Sequence, residues 1–159
     1  FRMSVKQLSP MVETAEKYKV VLGLENMPAF DCQTRMYSII PEEHCYLVDS
    51  FKSEYVKAVW DFGHAHLRDF PQEKAIEQLG SRIAGTHIHN NYKCNDDHFA
   101  PSKGTIDWTK IIPSLNKTGY MGYLTLESSY PKNNGDEIER IFAGLYKDIS
   151  EISDIFDKD

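Results

Sequence analysis

Short apolar segments of strand length alternate along this chain with segments whose apolar residues repeat at helical spacing. Residues 20–24, 56–62, 83–89 and 123–127 have the composition of buried strands. Helical patterns separate them, and no two strands follow each other directly, which favours parallel strands joined by right-handed crossovers. We therefore predict an α/β fold, with residues 1–159 forming a single domain.

Charge and cysteine content narrow the class of protein. The chain has 18 basic and 24 acidic residues, a formal net charge of -6, and no evident basic stripe, which disfavours a nucleic-acid partner. Cys32, Cys45 and Cys94 are odd in number and lack C-x-x-C spacing, so they predict neither a disulfide framework nor a structural zinc site. No apolar segment approaches the roughly 20 residues of a membrane-spanning helix. We expect a cytoplasmic protein without membrane contact.

Each predicted strand ends in a side chain that can bind a metal ion. These residues are Glu25, Asp61, His89 and Glu127. The carboxyl ends of parallel strands meet at one face of the fold, so the four side chains can converge. Ionisable groups buried without partners would be costly, and a cation removes that cost. Three carboxylates and one imidazole suit Zn, Mn, Mg or Co, so we predict one divalent cation at these residues.

A second set of polar residues lies close to the first in the predicted fold. His64 follows Asp61 by three positions, and Asp96 and His98 occupy the loop after the third strand. They could bind another cation or the substrate, and the alternative is a solvated polar loop. We interpret His66 and His87 as structural hydrogen-bonding residues.

Five segments carry a resemblance to a known superfamily. They are L-G-L-E-N-M-P around Glu25, W-D-F-G-H-A-H from Trp60, T-H-I-H-N-N from Thr86, G-T-I-D-W from Gly104, and G-Y-M-G-Y-L-T-L-E ending at Glu127. In this order they resemble the xylose isomerase-like TIM-barrel superfamily, which includes sugar phosphate isomerases and epimerases and AP endonucleases of the endonuclease IV type. Members have eight strands and this chain supplies four, so the resemblance implies the C-terminal half of a (β/α) barrel.

The resemblance also implies roles for individual residues. Glu25, Asp61, His89 and Glu127 match the shared metal ligands, His64 matches a residue that touches substrate or an additional metal, and Asp96 and His98 look like the extra metal pair of the endonuclease branch. The implied activity is a metal-dependent isomerisation or epimerisation of a sugar or sugar phosphate. Glu25 and Glu127 would transfer the proton through a metal-stabilised enediolate, and His64 would donate a hydrogen bond to the substrate.

Three residues at the strand ends are expected to contact the sugar, namely Asn26, Trp60 and Asn90. Trp60 and Tyr92 could stack on a sugar ring, although aromatic residues at such positions also serve packing.

Two alternative functions stay open. One is an endonuclease IV-like AP endonuclease, in which cations activate water for phosphodiester hydrolysis. The other is an inactive half-barrel. Four strands cannot close a barrel alone, so we expect either a homo-oligomer or a missing N-terminal half to cover the open sheet edges.

Overall fold

The fold is built around one sheet of four parallel strands. The computed structural model describes residues 2–28, 37–129 and 135–157. The strands lie side by side in chain order, and every neighbouring pair is parallel. They are β1 (Leu22–Glu25), β2 (Val56–Asp61), β3 (Ile83–Ile88) and β4 (Leu124–Leu126). The predicted α/β fold with four βα units is confirmed, in the form of a partial barrel sheet.

Helices connect the strands and cover one face of the sheet. They are α1 (Arg2–Tyr18), α2 (Pro41–Ser50), α3 (Phe62–His66), α4 (Gln72–Leu79), α5 (Trp108–Lys117) and α6 (Gly135–Phe156). A single 3₁₀ turn, Gly80–Arg82, joins α4 to β3. None of these described helices combines the length and the apolar character needed to cross a membrane.

The two faces of the sheet have different environments. Alternate strand residues such as Leu24, Ala58 and Ile88 are buried under the helices, where they join one apolar core with the buried faces of α4 and α5. Most residues on the other face, including Val59 and Thr125, are partly exposed or exposed, and Asp61 is the buried exception. Because side chains alternate along a strand, one face of the sheet makes the core and the other is left open to carry a site.

Both outer strands leave apolar side chains in solvent. Beside β1, Val20 and Val21 are 59% and 52% exposed. They line a cavity of about 670 Å³ together with residues of α1. Beside β4, Met121 and Tyr123 are 92% and 90% exposed. Among the described strands nothing covers these two edges. That a further segment or a second chain closes them stays a prediction.

Candidate metal centre

The carboxyl ends of the strands bring four chemically active side chains to one point of the open face. Glu25 and Asp61 are the last residues of β1 and β2, His87 is the last but one of β3, and Glu127 directly follows β4. Parallel strands put these ends at the same edge of the sheet. We call Glu25, Asp61, His87 and Glu127 the first ligand group.

The side chains of the first ligand group are crowded around one ring nitrogen. Nδ1 of His87 lies 2.9 Å from Oε1 of Glu25, 2.9 Å from Oε2 of Glu127 and 3.8 Å from Oδ2 of Asp61. One candidate ligand atom from each residue lies within 4.8 Å of all the others. A single ring nitrogen carries at most one hydrogen, so it cannot donate to both glutamates at once. A divalent cation would balance these carboxylates, and this donor set fits manganese, magnesium, cobalt or zinc.

The imidazole in the first ligand group is His87, whereas the sequence analysis placed His89 there. Asp61 lies opposite His87 in the register of β2 and β3. His89 lies beyond the end of β3, where the strand alternation no longer fixes its direction. Its ring is fully buried, and Nε2 lies 3.0 Å from Oδ1 of Asp61. The structure thus groups His87, predicted as a structural residue, with the three carboxylates, and places His89 in a neighbouring cluster.

That neighbouring cluster, the second ligand group, consists of His64, His89, Asp96 and His98. Oδ2 of Asp96 lies 3.2 Å from Nε2 of His64 and 3.3 Å from Nε2 of His98. The rings of His89 and His98 stack with their centroids 3.8 Å apart. Oδ1 of Asp96 is buried and has no hydrogen-bond partner among the described residues. The three residues predicted for a second site do come together, with His89 as a fourth.

Asp61 links the two groups through a helix that the sequence pattern did not reveal. It ends β2 and is also the N-cap of α3, where its Oδ1 accepts a hydrogen bond of 2.6 Å from the backbone N–H of His64. The cap fixes the start of α3 and so directs His64. Nδ1 of His64 lies 2.8 Å from the carbonyl oxygen of Asn26 and 3.5 Å from Oε1 of Glu25.

The surrounding acids shift the proton equilibria of the second ligand group. Burial lowers the pKa of His64, but the hydrogen bond to Asp96 and the charge of Asp61 outweigh burial and raise that pKa to about 9. Burial raises the pKa of Asp96, whereas the hydrogen bond and the charge of His64 bring it below its ordinary value. The site thus stabilises positive charge. A proton on His64 supplies that charge, and a bound metal cation would supply it instead of the proton.

Asn26, predicted to contact substrate, instead clamps two strand ends together. Its side-chain amide donates to the carbonyl oxygen of Asp61 at 2.9 Å, and its Oδ1 accepts from the backbone N–H of Asp61 at 2.7 Å. The residue is 2% exposed. Asn26 therefore acts on the site by holding the backbone of Asp61.

Trp60 and Asn90 also have structural partners in place of the expected substrate contacts. Trp60 points to the helix-covered face, is 1% exposed, and donates from its indole N–H to Gln72 at 3.4 Å. Asn90 is 1% exposed, donates to the carbonyl oxygen of Pro101 at 2.7 Å, and accepts from the backbone N–H of Ile106 at 3.1 Å. Both side chains are buried and hydrogen-bond within the protein, in contrast to the predicted substrate contacts.

The remaining predicted residues divide between structural and exposed positions. His66 is buried, and its Nε2 lies 2.8 Å from Oγ1 of Thr105, in line with its predicted structural role. Tyr92 is 50% exposed and makes an edge contact with Phe99. Cys45 and Cys94 are free thiols, and Cys32 lies outside the described residues.

One buried histidine escaped the sequence analysis. His44 on α2 is 0% exposed, stacks on Trp60, and has its Nε2 2.7 Å from the carbonyl oxygen of Leu24. Burial lowers its pKa to about 4, although the hydrogen bond to Leu24 acts in the opposite direction. This neutral ring supports the backbone next to Glu25. The irregular pattern of that part of the sequence offered no signal for it.

Comparison with known proteins defines the family. Residues 1–147 match the family described as xylose isomerase-like TIM barrel. The chain belongs to this family, as the resemblance of its motifs had suggested.

Curated relatives are similar over most of this chain. An uncharacterized protein of Methanocaldococcus jannaschii is 31% identical over 134 residues, which cover 83% of this chain and 44% of that protein. D-psicose 3-epimerase of Enterocloster bolteae is 26% identical over 150 residues, covering 93% of this chain and 47% of the enzyme. The chain thus spans about half the length of these curated relatives.

Solved structures share the same fold. A D-tagatose 3-epimerase-like protein has a TM-score of 0.76 and 28% identity, covering 96% of this chain and 54% of that one. The IolI protein, solved with a bound zinc atom, has a TM-score of 0.77 and 21% identity, covering 94% of this chain and 54% of its own. Because the identity is 21%, the similarity to the IolI protein shows a shared fold alone.

Proposed function

We propose that this chain carries the metal-binding and proton-transferring part of a sugar epimerase or isomerase. The observation that supports the proposal most directly is the pair Glu25 and Glu127, whose carboxylates approach the same nitrogen of His87 from the two outer strands. The relatives named as D-psicose 3-epimerase and D-tagatose 3-epimerase-like protein agree with this chemistry.

We assign different roles to Glu25, Asp61 and Glu127 because their side chains differ in solvent exposure. The side chain of Asp61 is fully buried, whereas those of Glu25 and Glu127 are 29% and 47% exposed on the open face. A group that exchanges a proton with substrate must be reachable, so Asp61 acts as a ligand and structural anchor. Glu25 and Glu127 are the acid and base on opposite sides of the substrate. In epimerisation one removes the proton and the other returns it on the other face of the carbon.

The first ligand group would hold a divalent cation. When bound, the cation supplies Lewis-acid stabilisation of the negative charge that develops beside the deprotonated carbon. His87 would contribute a nitrogen ligand between the two glutamates, and Asn26 keeps Asp61 in position through the backbone.

For His64 we propose a place in the second ligand group. Both ring nitrogens already have protein partners, Asn26 and Asp96, so a hydrogen bond to substrate would require Asp96 to move. Asp96 and His98 complete that group, which would hold a second cation. The relatives named as sugar epimerases favour sugar chemistry over phosphodiester cleavage.

The test is metal-dependent proton exchange at the reacting carbon. Protein freed of metal and then supplied with Mn²⁺, Co²⁺, Mg²⁺ or Zn²⁺ is incubated with D-psicose, D-tagatose or D-fructose in D₂O, and deuterium incorporation is followed by NMR. We expect exchange only with metal, and loss of exchange in Glu25→Gln and Glu127→Gln. Glu73→Gln on α4 is the matched control and should behave as wild type. Metal-independent exchange, or full exchange in Glu127→Gln, would refute the proposal.

A further inference from the structure

A separate cavity of about 270 Å³ lies between the loop after β3 and helix α6. Its loop wall includes Phe99 and Lys103, and its helix wall includes Arg140, Gly144 and Asp148. These three helix residues are spaced four apart and so share one side of α6. We call this space the loop–α6 cavity.

The loop–α6 cavity has a positive lining in an otherwise acidic chain. Lys103 and Arg140 contribute two positive charges and Asp148 one negative charge, against a net charge of -6 for the whole chain. Among residues whose side chains the structure describes, neither Lys103 nor Arg140 forms a salt bridge. Two cations in a small cavity with only one carboxylate, to which neither is paired in a salt bridge, favour an anionic ligand.

Local contacts hold the cavity walls in place. Nζ of Lys103 lies 4.1 Å from the centre of the Phe99 ring, a cation–π contact that keeps the ammonium group at the cavity. Oδ2 of Asp148 accepts from the backbone N–H of Ser102 at 3.0 Å and from its hydroxyl at 2.6 Å. Asp148 thereby ties the loop to α6. Its Oδ2 already accepts two hydrogen bonds, both from Ser102.

Two residues that line the cavity are directly connected to the second ligand group. Phe99 directly follows His98, and the backbone N–H of Ser129, which also lines the cavity, donates to the carbonyl oxygen of His98 at 2.7 Å. Ser129 is two residues from Glu127, a span of at most about 7 Å for extended chain. A substrate held at the ligand groups could therefore extend one end into this cavity.

We infer that the loop–α6 cavity binds the phosphate group of a phosphorylated sugar whose carbonyl end lies at the first ligand group. Lys103 and Arg140 would neutralise the phosphate, and the hydroxyl of Ser129 would donate a hydrogen bond. The inference rests on the proposed function for the identity of the sugar, but the binding of phosphate can be measured separately. Gly144 leaves this side of α6 open, since a Cβ there would meet no atom within 4 Å.

The binding test uses inorganic phosphate, D-fructose 6-phosphate and D-fructose, titrated calorimetrically into the metal-loaded protein. We expect the two phosphates to bind more tightly than D-fructose. Arg140→Gln and Lys103→Gln should each weaken phosphate binding about tenfold, because each removes a charge-assisted contact. Gly144→Leu should block the cavity by filling it. Lys147→Gln, on the same helix outside the cavity, is the matched control and should change little.

The outcomes separate this inference from the proposed function. If Arg140→Gln and Lys147→Gln have equal effects, or if phosphate fails to bind, the cavity is not a phosphate site, even where free sugars show metal-dependent exchange. If phosphate binding depends on Arg140 and Gly144 while no sugar undergoes exchange, the phosphate site stands and the proposed function fails. Faster exchange of D-fructose 6-phosphate than of D-fructose, with the difference abolished by Arg140→Gln, supports both.

Discussion

Asp61 lies opposite His87 in the register of the parallel strands β2 and β3. The same carboxylate is 3.0 Å from Nε2 of His89, so it stands between the two ligand groups. Asp61 therefore contacts residues of both the first and the second ligand group. It also explains why the histidine inside β3, and not the one after it, completes the first ligand group.

Replacing His87 should impair the first ligand group while leaving the second intact. Loss of a partner that only supports a metal ligand costs roughly 10–100-fold in affinity, so we expect His87→Gln to weaken the tightest metal binding by at least that much. Metal titration with inductively coupled plasma analysis of bound ions measures this. His98→Gln is the comparison, since it should spare the first group. Equal effects of the two variants would contradict the assignment.

The sequence predicted which carboxylates come together wherever a strand end alone decides their position. Glu25, Asp61 and Glu127 follow directly from apolar strands, and the carboxyl ends of parallel strands must meet. The choice between His87 and His89 could not be made this way. Both lie on the same side of an ideal strand, and only the end of β3 at Ile88 and its register with β2 separate them.

Neighbours of the ligands were harder to assign because their partners are remote in sequence. Asn26 hydrogen-bonds a residue 35 positions away, and the indole of Trp60 depends on Gln72 in a later helix. Adjacent residues on a strand point to opposite faces, so Trp60 beside Asp61 belongs to the core. Polar or aromatic character next to a ligand therefore did not indicate substrate contact.

Gly63 is required for the position of His89. A Cβ at residue 63 would overlap the imidazole ring of His89, which is fully buried and cannot move freely. We expect Gly63→Ala to cost about 1–3 kcal/mol of stability and to weaken metal binding at the second ligand group. Chemical denaturation and metal titration test this.

Gly144→Ala is the control for that substitution. Its Cβ would meet nothing within 4 Å, and alanine is favoured over glycine inside a helix by about 1 kcal/mol. This variant should be unchanged or slightly more stable. If Gly63→Ala were as stable as wild type and bound metal equally well, the packing of His89 against Gly63 would not matter.

His44 should make stability depend on pH. Its folded pKa of about 4 lies below the ordinary value of 6.5, so protonation favours the unfolded chain. The stabilisation is complete above pH 6.5 and is lost as the pH falls towards 4. The loss is on the order of 3 kcal/mol. We expect His44→Gln to flatten the pH dependence measured by urea unfolding between these values.

His66 should contribute to the pH dependence that remains in His44→Gln. Burial and the charge of Lys93 lower its pKa to about 4 as well, so His44→Gln should retain part of the pH dependence. The double variant with His66→Gln should be flatter than either single variant. Identical profiles for wild type and His44→Gln would show that the buried ring does not resist protonation.

The exposed edges of the sheet should drive association. Val21 beside β1 and Tyr123 beside β4 are large, apolar and in solvent, and parallel strands of a second copy could pair with either edge. We expect wild type to sediment as species heavier than the 18.3 kDa chain. Val21→Lys combined with Tyr123→Lys should shift it to the monomer, because buried lysines disfavour the contact. Tyr146→Lys, which alters another exposed residue on α6, should leave the distribution unchanged. A monodisperse wild-type monomer would show that these edges do not mediate association.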